Sequence, residues 1–396
     1  MKKKKFEKAF LPVSKDEMVE RGWYYYDFLV VTADAYIDHP SFGTAIIARV
    51  LEHEGYRVAV LAQPDWHSAD AFRAMGRPRY GVMIGGGNID SMVAHYTAAK
   101  KHRTSDLYSP GSKMGLRPDR PTIVYANRCR EAFGDIPIVV GGLEASLRRF
   151  AHYDYWDDKV RRALIFDAQA DLLVYGMGEY ATRAIARRLA KGEKVDALTD
   201  IRGTAFVTRT PEVCAFDHVD CPSYEEVCAD KRAYALATKL EYEEHDPIRG
   251  KALWQAHGRD TLVVNPPAMP LSREELCDII LQLVREEGVS VLFSTHITSD
   301  LMRIADDIVY ISQGKVLAAC PLRELLDKYK LAQFASFAAA TEAKAIGVKP
   351  VKDGYEGLVN SNMQGLKNAI VMDATIDNVM VHLEKANREE RHAEFN

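Results

Sequence analysis

The chain has 396 residues, of which 47% are hydrophobic and 27% charged, which is enough apolar material for packed cores and about two or three domains. Its 52 Lys and Arg residues nearly balance 56 Asp and Glu, and the net charge of −4 argues against a non-specific nucleic-acid or anionic-membrane binder without excluding nucleic acid altogether. Six cysteines are too few for a disulfide scaffold, and no stretch approaches the roughly 18 apolar residues of a membrane span, so a reduced, cytoplasmic protein is expected.

The first 210 residues alternate short β-branched runs with helical stretches. The pattern predicts helices between the strands, over residues 44–53, 89–99, 121–133 and 143–150. The runs predict five buried parallel strands, over residues 27–32, 57–62, 80–84, 136–140 and 171–175. This alternation is typical of an α/β fold with an open, mostly parallel, Rossmann-like sheet that is covered by helices on both faces. Ligands of such sheets bind beyond the carboxyl ends of the strands.

Candidate ligand-binding residues therefore lie in the turns that follow these strands. Three turns contain glycines where the backbone must turn tightly or approach a ligand closely, and the helix after each offers free N–H groups to an anion. The alternative is that the glycines only permit tight strand-to-helix turns. No turn has the GxGxxG spacing of a nicotinamide or flavin site. The candidates are Asp34, Asp38, His39 and Ser41 after the first strand, Gly85, Gly86, Gly87 and Asn88 after the third, and Gly141, Gly142 and Glu144 after the fourth.

Two basic segments add further candidates. Residues 100–120 form a polar loop that is long enough to be a lid or a partner surface. Residues 148–162 interleave arginines with aromatic residues, a composition that grips phosphates or stacks on bases, and they supply Arg148 and His152. The alternative is a helix with an aromatic core face and solvated arginines. The expected partner is an unidentified small molecule, and the sequence leaves the oligomeric state open.

Residues 211–270 indicate an irregular, acidic connecting segment. Cys214, Cys221 and Cys228 follow one another at intervals of seven, whereas metal sites favour C-x2-4-C spacing, and His218 does not complete a site. No metal is therefore expected here.

Ordered motifs within residues 6–270 resemble the YgiQ family of radical-SAM proteins. They include DAYIDHPSFG (34–43), AQPDW (62–66), RCRE (128–131), GGLEASLRR (141–149), AHYDYW (151–156), RGTA (202–205) and NPPA (265–268). The resemblance implies a Rossmann-like N-terminal domain ahead of a barrel that holds a [4Fe–4S] cluster through C-x3-C-x2-C and cleaves S-adenosylmethionine. A cluster needs closely spaced thiolates, and the cysteines at 129, 214, 221, 228, 277 and 320 contain no such triplet. The chain is therefore interpreted as a radical-SAM family domain without its catalytic barrel, and neither cofactor is expected in it.

The same region is similar to cobalamin-binding domains, in which D-x-H-x-x-G follows the first strand. Residues 38–43 read DHPSFG, so the histidine comes one position early. This departure argues against His39 as a cobalt ligand and favours a structural histidine that caps the following helix.

Residues 271–396 carry a different pattern. Ser272 and Glu275 predict a capping box for a helix that ends at Gly288. A strand over 289–294 and a short helix over 299–305 are predicted next. Strands over 308–312 and 315–319 then form a hairpin through the Gln313-Gly314 turn.

Residues 272–319 resemble the C-terminal part of an ABC-transporter ATP-binding subunit, and residues 320–396 resemble its C-terminal extension. The matching runs are LFSTHITSDL (292–301), IADDI (304–308) and GKV (314–316). The resemblance implies that His296 is the switch residue that contacts the γ-phosphate. The chain has no Walker A string, no hydrophobic run ending in Asp-Glu and no LSGGQ-like signature. We therefore expect no ATP or Mg²⁺ in this chain alone, and a strand-end histidine at His296.

These observations divide the chain into a Rossmann-like domain over 1–210, a connecting segment over 211–270 and a partial ABC-ATPase α/β fragment over 271–396. The two resemblances join near residues 267–275, either as a natural fusion or through an assembly error. Three functions follow: a radical-SAM family domain that is not catalytic by itself, a ligand-binding Rossmann-like module, and an ABC component with an incomplete nucleotide site.

Overall fold

The computed structural model describes residues 10–292, 294–295, 297–363, 366 and 369–394. It divides into two compact units, Met1–Pro270 and Leu271–Asn396. We describe each unit by itself.

The first unit is built around a nine-stranded sheet with the order β2-β1-β3-β4-β7-β8-β11-β10-β9, and β5 and β6 form a separate hairpin. Its strands are β1 (Phe28–Thr32), β2 (Val58–Ala62), β3 (Gly81–Gly85), β4 (Ile138–Gly141), β5 (His152–Asp154), β6 (Lys159–Arg161), β7 (Leu172–Val174), β8 (Thr204–Thr208), β9 (His218–Cys221), β10 (Ala252–His257) and β11 (Asp260–Val264). Its helices are α1 (Lys15–Glu20), α2 (Gly43–His53), α3 (Asp70–Arg73), α4 (Ser91–His95), α5 (Pro121–Phe133), α6 (Gly142–Leu147), α7 (Leu164–Ala168), α8 (Glu179–Ala190), α9 (Tyr224–Ala229) and α10 (Lys231–Glu243).

The five strands predicted from the apolar runs all form, and they pair in parallel in the order β2-β1-β3-β4-β7. This part of the α/β prediction is confirmed. The chain places β2 on one side of β1 and then crosses to place β3 on the other side. A reversal of strand order of this kind leaves a crevice at the carboxyl ends of the two central strands.

Both faces of the parallel strands are buried, which explains why the strands are continuous apolar runs without alternation. On β3, Val82 and Ile84 pack in a core with residues of α3, α5 and α7. Met83 points to the opposite face and packs in a second core with residues of α2 and α8. The two cores hold the carboxyl ends of the strands in fixed positions.

Residues 211–270, expected to be irregular, instead extend the sheet. They supply β9, β10 and β11 together with α9 and α10. Pairing becomes antiparallel from β7 to β8, from β8 to β11 and from β11 to β10. The strands escaped the sequence analysis because polar side chains interrupt them: Gln255, for example, is fully buried and accepts a 2.9 Å hydrogen bond from the backbone N–H of Ala151.

The second unit contains a two-stranded and a four-stranded sheet, the latter in the order β15-β16-β14-β17. Its strands are β12 (Asp307–Ser312), β13 (Lys315–Pro321), β14 (Tyr329–Phe334), β15 (Ile346–Val351), β16 (Gly354–Asn360) and β17 (Ala369–Asp373). Its helices are α11 (Arg273–Glu287), α12 (Thr298–Ile304), α13 (Leu322–Lys328), α14 (Phe337–Glu342) and α15 (Ile376–Glu394).

The capping box is confirmed, because the backbone N–H of Glu275 donates to Ser272 Oγ (3.1 Å) and that of Ser272 donates to Glu275 Oε2 (2.8 Å). The β12–β13 hairpin is confirmed as well, with positive φ at both Gln313 and Gly314. The strand predicted over 289–294 is wrong for the residues described there, which lie outside any strand. An apolar run forms a strand only where a neighbour accepts its hydrogen bonds, and Leu292 is 98% exposed.

Candidate binding site at the carboxyl edge of the sheet

A cavity of about 430 Å³ lies at the carboxyl edge of the parallel strands in the described first unit. The polar side chains of its rim are Asn88, Thr44, Thr182 and Glu179. Its apolar lining comes from one face of β1, β3, β4 and β7 and from helix α2, which covers that face. The apolar residues are Val30, Met83, Val139, Val174, Ile46 and Ile47. Because these strands are adjacent and parallel, their ends converge on one place, where a ligand can contact all four.

The structure brings most of the predicted glycines to this cavity. Gly85, Gly87, Gly141 and Gly142 line it, and Gly86 lies behind it, where an added Cβ would be 2.8 Å from Thr122 Oγ1. Gly87 has a φ of +97°, and a Cβ there would lie 2.7 Å from Cγ of Asp34. At Gly87, therefore, glycine is required by an internal contact as well as by the turn.

Asp34 is held in a buried ion pair. Its carboxylate accepts a 2.7 Å hydrogen bond from the backbone N–H of Asn88 and a 2.8 Å bond from Arg117 Nη1. Asp34 is 2% and Arg117 is 1% exposed. Asp34 thus fixes the Gly85–Asn88 turn. Its side chain does not line the cavity, so Asp34 is a positioning residue for the residues that do.

Arg117 also binds Asp106, so one guanidinium bridges two buried carboxylates. Its Nε and Nη2 donate to the two oxygens of Asp106 at 2.8 and 2.9 Å, and Ser109 Oγ donates at 2.7 Å. Burial raises the pKa of Asp106, but the bonds from Arg117 and Ser109 outweigh burial and leave that pKa below its usual value. Burial dominates at Asp34 and raises its pKa, with a further contribution from the charge of Asp106. The bridge anchors the 100–120 loop beside the cavity.

Glu144 and Arg148 are buried as well. Glu144 is fully buried in the first turn of α6, and its Oε1 accepts from the backbone N–H of Thr122 at 3.4 Å, whereas its Oε2 has no hydrogen-bond partner. Burial raises the pKa of Glu144 and favours its neutral form. Arg148 forms a buried ion pair with Asp90, the N-cap residue of α4. Both residues brace the loops around the cavity and neither lines it.

The segment after β1 is tied to the glycine turn through Asn88. Asn88 Nδ2 donates to the carbonyl of Ser41 at 2.8 Å, and its Oδ1 accepts from the backbone N–H of Gly43 at 3.3 Å. Asp38 binds Arg49 Nε at 3.1 Å. His39 Nδ1 accepts from the backbone N–H of Ser41 at 3.1 Å, so in the neutral ring the proton is on Nε2, which then has no lone pair for a metal. The geometry fits a turn-forming histidine better than a cobalt ligand.

His152 lies in the β5–β6 hairpin. The helix considered as the alternative for residues 148–162 is wrong, because α6 ends at Leu147 and a hairpin follows it. Its Nδ1 lies 3.0 Å from the carbonyl of Phe150, to which it donates, and its buried Nε2 has no partner. Burial lowers the pKa of His152. Tyr153 lies in β5 and Tyr155 in the turn that follows it, and aromatic residues favour strands over a continuation of α6. The structure places His152 away from the cavity lining.

The sequence analysis missed Arg117, Asp106 and the two threonines of the cavity. Thr44 and Thr182 begin amphipathic helices, where the apolar pattern gives no sign of a polar contact. Arg117 belongs to a loop without hydrophobic periodicity. Its position close to Gly115 and Pro118 is the one sequence feature that sets it apart from the other basic residues of that loop. His296, the candidate nucleotide switch, lies outside the described residues.

Glu144→Gln should stabilise the first unit increasingly as the pH rises. A carboxyl whose folded-state pKa is raised contributes stability that is present below its unfolded pKa and lost as the pH rises toward the folded value. Gln carries no such charge, so the variant's free energy of unfolding should gain on that of the wild type as the pH rises above the unfolded-state pKa of about 4.3. Urea unfolding followed by tryptophan fluorescence measures this.

Glu193→Gln is the matched control. Hydrogen bonds from Arg188 lower the pKa of Glu193, which contributes stability above its unfolded pKa that is lost as the pH falls. The difference between Glu193→Gln and the wild type should therefore stay constant above about pH 5, and it should change only as the pH falls below the unfolded-state pKa of about 4.3. A Glu144→Gln difference that stays constant with pH would show that Glu144 is ionised in the folded protein.

The cysteines do not fit an iron–sulfur cluster. Cys129 is fully buried in the core, where burial raises its pKa, and burial raises the pKa of Cys214 to about 11 and that of Cys221 to about 12. Cluster ligands are thiolates, whereas thiols with such pKa values are protonated at neutral pH. Within the described residues, no three His, Cys, Asp or Glu side chains are grouped to hold a metal ion.

The fold is that of an α/β domain, and its cavity lies at the topological switch point of the sheet. Residues 10–288 match the family described as "Radical SAM N-terminal", and this match covers more than half of the chain. The chain therefore belongs to that family, as its first 270 residues had suggested.

Two relatives agree with the assignment. A UPF0313 protein of Clostridium perfringens strain ATCC 13124 is 55% identical over 270 residues, which cover 68% of this chain and 41% of the relative. A UPF0313 protein of Clostridium botulinum strain 657 is 52% identical over 270 residues, covering 68% of this chain and 42% of the relative. The chain thus spans about two fifths of the length of the curated relatives it matches.

Among solved structures, a radical S-adenosylmethionine methyltransferase, TsrM, from Kitasatospora setae matches with a TM-score of 0.31 and 20% identity, covering 45% of this chain and 28% of that one. At that TM-score the likeness adds nothing to the assignment. The comparisons give no support to the ABC-transporter resemblance of residues 272–396 or to the ATP and Mg²⁺ that it implied. No described helix combines the length and the apolar composition that a membrane crossing requires.

Proposed function

We propose that the first unit is a binding domain for a small organic ligand and that the ligand places a flat, largely apolar ring system in the carboxyl-edge cavity. The observation that carries the proposal is the cavity itself, at the switch point between β1 and β3. Its volume of about 430 Å³ falls within the range of ligand sites, and a few polar groups around an apolar interior are their usual composition.

The shape of the cavity favours a flat group. Val30, Met83, Val139 and Val174 come from the same face of four adjacent strands, and all four line the cavity. Ile46 and Ile47 of α2, the helix that covers this face, line it as well. Gly85 and Gly141 end the central strands and have no side chains, which leaves the backbone open to close approach.

The rim can hold the polar part of such a ligand. Asn88, Thr44 and Thr182 carry hydrogen-bonding side chains at the cavity. Helices α2 and α8 both begin there, and neither N-cap residue caps its helix with its own side chain. The N–H of Gly43 at the start of α2 is already bound to Asn88 Oδ1, so an acceptor atom of the ligand would meet the N–H groups that follow it. Glu179 in the first turn of α8 disfavours a strongly anionic group on that side. A ring with neutral polar substituents fits the whole lining.

We propose that this chain binds a ligand and does not itself carry out radical chemistry. A radical-SAM reaction requires closely spaced cluster thiolates, and the spacing of the six cysteines in this chain does not provide them. The C-x3-C-x2-C string is absent from the 396 residues. No catalytic step is therefore assigned to this chain, and its cytoplasmic location stays part of the proposal.

Filling the cavity tests the proposal. At Gly85 an added Cβ meets no atom within 4 Å, so Gly85→Leu should fold normally while its side chain occupies the cavity. Hydroxocobalamin, riboflavin and S-adenosylmethionine serve as ring-bearing probes in calorimetric titrations of the full chain. We expect at least one to bind with a dissociation constant of about 10 µM or below, and Gly85→Leu to weaken it at least about tenfold.

Leu147→Ala is the matched control, because Leu147 is on α6 beside the site but does not line the cavity. It should leave the affinity unchanged within about twofold. If none of the three probes binds, or if Gly85→Leu binds as well as the wild type, the cavity is not the ligand site.

A further inference from the structure

A second cavity, of about 520 Å³, is lined by residues 89–94, at helix α4, and by residues 97–108, which follow that helix. Its described lining belongs entirely to the first unit, and none of the described residues lines both this cavity and the carboxyl-edge cavity. The volume falls within the range of small-molecule sites. The beginning of the polar 100–120 loop thus encloses a space of ligand size.

Arg103 joins the two parts of this lining and keeps donors available to a ligand. Its backbone N–H donates to the carbonyl of His95 at 2.8 Å. Its side-chain Nε donates to the carbonyls of Val93 and Tyr96 at 3.0 and 3.2 Å. Among the residues that the structure describes, its two Nη groups have no hydrogen-bond or ion-pair partner. The guanidinium is therefore held in place through Nε, and both Nη groups can donate to a ligand in the cavity.

Hydroxyl groups supply further donors to the same cavity. Thr97, Thr104 and Ser105 line it, and so does the imidazole of His102. Thr97 Oγ1 accepts a 3.2 Å hydrogen bond from the backbone N–H of Lys101, which leaves its O–H free to donate. In the described part of the chain, the hydroxyls of Thr104 and Ser105 have no hydrogen-bond partner. The lining therefore combines a guanidinium, an imidazole and hydroxyls, all of which can donate to an anion.

Asp106 is an acidic residue of this lining, but its carboxylate is already bound on both oxygens. One oxygen accepts from the backbone N–H of Tyr108 at 3.0 Å and from Arg117 Nη2 at 2.9 Å. The other accepts from Ser109 Oγ at 2.7 Å and from Arg117 Nε at 2.8 Å. Asp106 is thus paired inside the loop and does not occupy Arg103, which is left for a ligand.

We infer that this second cavity binds a small phosphate monoester with an apolar body. A terminal phosphate has three strong acceptor oxygens, and a guanidinium matches two of them with parallel hydrogen bonds. The hydroxyls of the lining provide donors for the third. Ile89, Val93, Ala94 and Leu107 line the cavity as well, and these apolar side chains can contact the ester group. A carboxylate, which has only two oxygens, would leave more of the donors without a partner.

Calorimetric titration of the full chain with phenyl phosphate, in a buffer free of phosphate, tests this site. We expect a dissociation constant of about 0.1 mM or below, and inorganic phosphate should bind at least about fivefold more weakly because it lacks the apolar part. Arg103→Gln should weaken phenyl phosphate at least about tenfold. Thr104→Val should weaken it at least about threefold, and it should fold normally because it removes a hydroxyl that has no partner among the described residues.

Lys101→Gln is the matched control, because it removes a positive charge two residues before Arg103 from a side chain that does not line the cavity. It should leave the affinity for phenyl phosphate unchanged within about twofold. The outcome is separate from that of the proposed function, since Arg103 and Thr104 do not line the carboxyl-edge cavity.

Four results would overturn the assignment of this cavity. Phenyl phosphate could fail to bind. Lys101→Gln could weaken it as much as Arg103→Gln, which would mean that the basic segment attracts anions without a defined site. Inorganic phosphate could bind as tightly as phenyl phosphate, which would indicate an adventitious ion only. Benzoate could bind as tightly as phenyl phosphate, which would remove the preference for a phosphate group.

Discussion

Arg117→Met is expected to destabilise the first unit by about 4 kcal/mol, because it leaves two buried carboxylates without their shared cation. Arg117 binds Asp34 and Asp106 at 2.8 Å each and has no exposed side-chain surface. Removal of one partner from a buried ion pair costs more than the pair itself contributes, since the remaining charge is neither solvated nor compensated. Tryptophan fluorescence during urea unfolding isolates the effect, because all four tryptophans (23, 66, 156 and 254) belong to the first unit.

Two further variants test the cause. Arg73→Met removes an exposed arginine that pairs with Asp70 on the surface, and it should change the free energy of unfolding by less than about 1 kcal/mol. Arg117→Met combined with Asp34→Asn and Asp106→Asn should recover part of the lost stability, because the buried charges are removed together. An Arg117→Met protein as stable as Arg73→Met would show that the carboxylates are solvated or protonated in the native state.

Gly87→Ala is expected to cost about 3 kcal/mol and to disturb the cavity, because two effects add at this position. A φ of +97° is strained for any residue with a side chain, and the new Cβ would lie 2.7 Å from Cγ of Asp34. The clash would push Asp34 away from the N–H of Asn88 and from Arg117, which hold it now. Both the urea midpoint and the probe affinity should fall.

Gly85→Ala provides the matched control two residues earlier in the same turn. Gly85 also lines the cavity, but its φ is not positive and its Cβ would meet no neighbour within 4 Å. Its unfolding free energy should stay within about 0.5 kcal/mol of the wild type. If Gly85→Ala and Gly87→Ala lower the free energy of unfolding equally, the turn tolerates no side chain at either position. The contact with Asp34 would then not explain the requirement for glycine at Gly87.

The parallel half of the fold was predictable because its strands are buried on both faces. Runs such as residues 27–32 and 136–140 are continuous, glycine follows several of them, and helices with clear apolar faces lie between them. Those signals gave five strands and placed the site at their carboxyl ends. The antiparallel half was not predictable in this way, because the pattern of β9 and β10 is broken by polar residues, of which Gln255 is buried through contacts distant in sequence.

The sequence analysis places the candidate site at the carboxyl edge, where the cavity lies, but several of the candidate residues do not line that cavity. Asp34, Glu144 and Arg148 follow strands as binding residues do, yet each is buried and occupied by a partner in the supporting loops. A single sequence shows which residues are polar, but whether a polar residue faces a cavity or an internal partner depends on the partner's position. Arg117 lies 83 residues from Asp34, and no local pattern connects them.

The change from parallel to antiparallel pairing between β7 and β8 does not divide the interior of the first unit. Leu262 and Val264 of β11 pack in the same core as Val82 and Ile84 of β3. Val263, on the opposite face of β11, packs in the core that contains Met83, a residue of the cavity lining. The antiparallel strands therefore form part of the foundation on which the cavity strands rest.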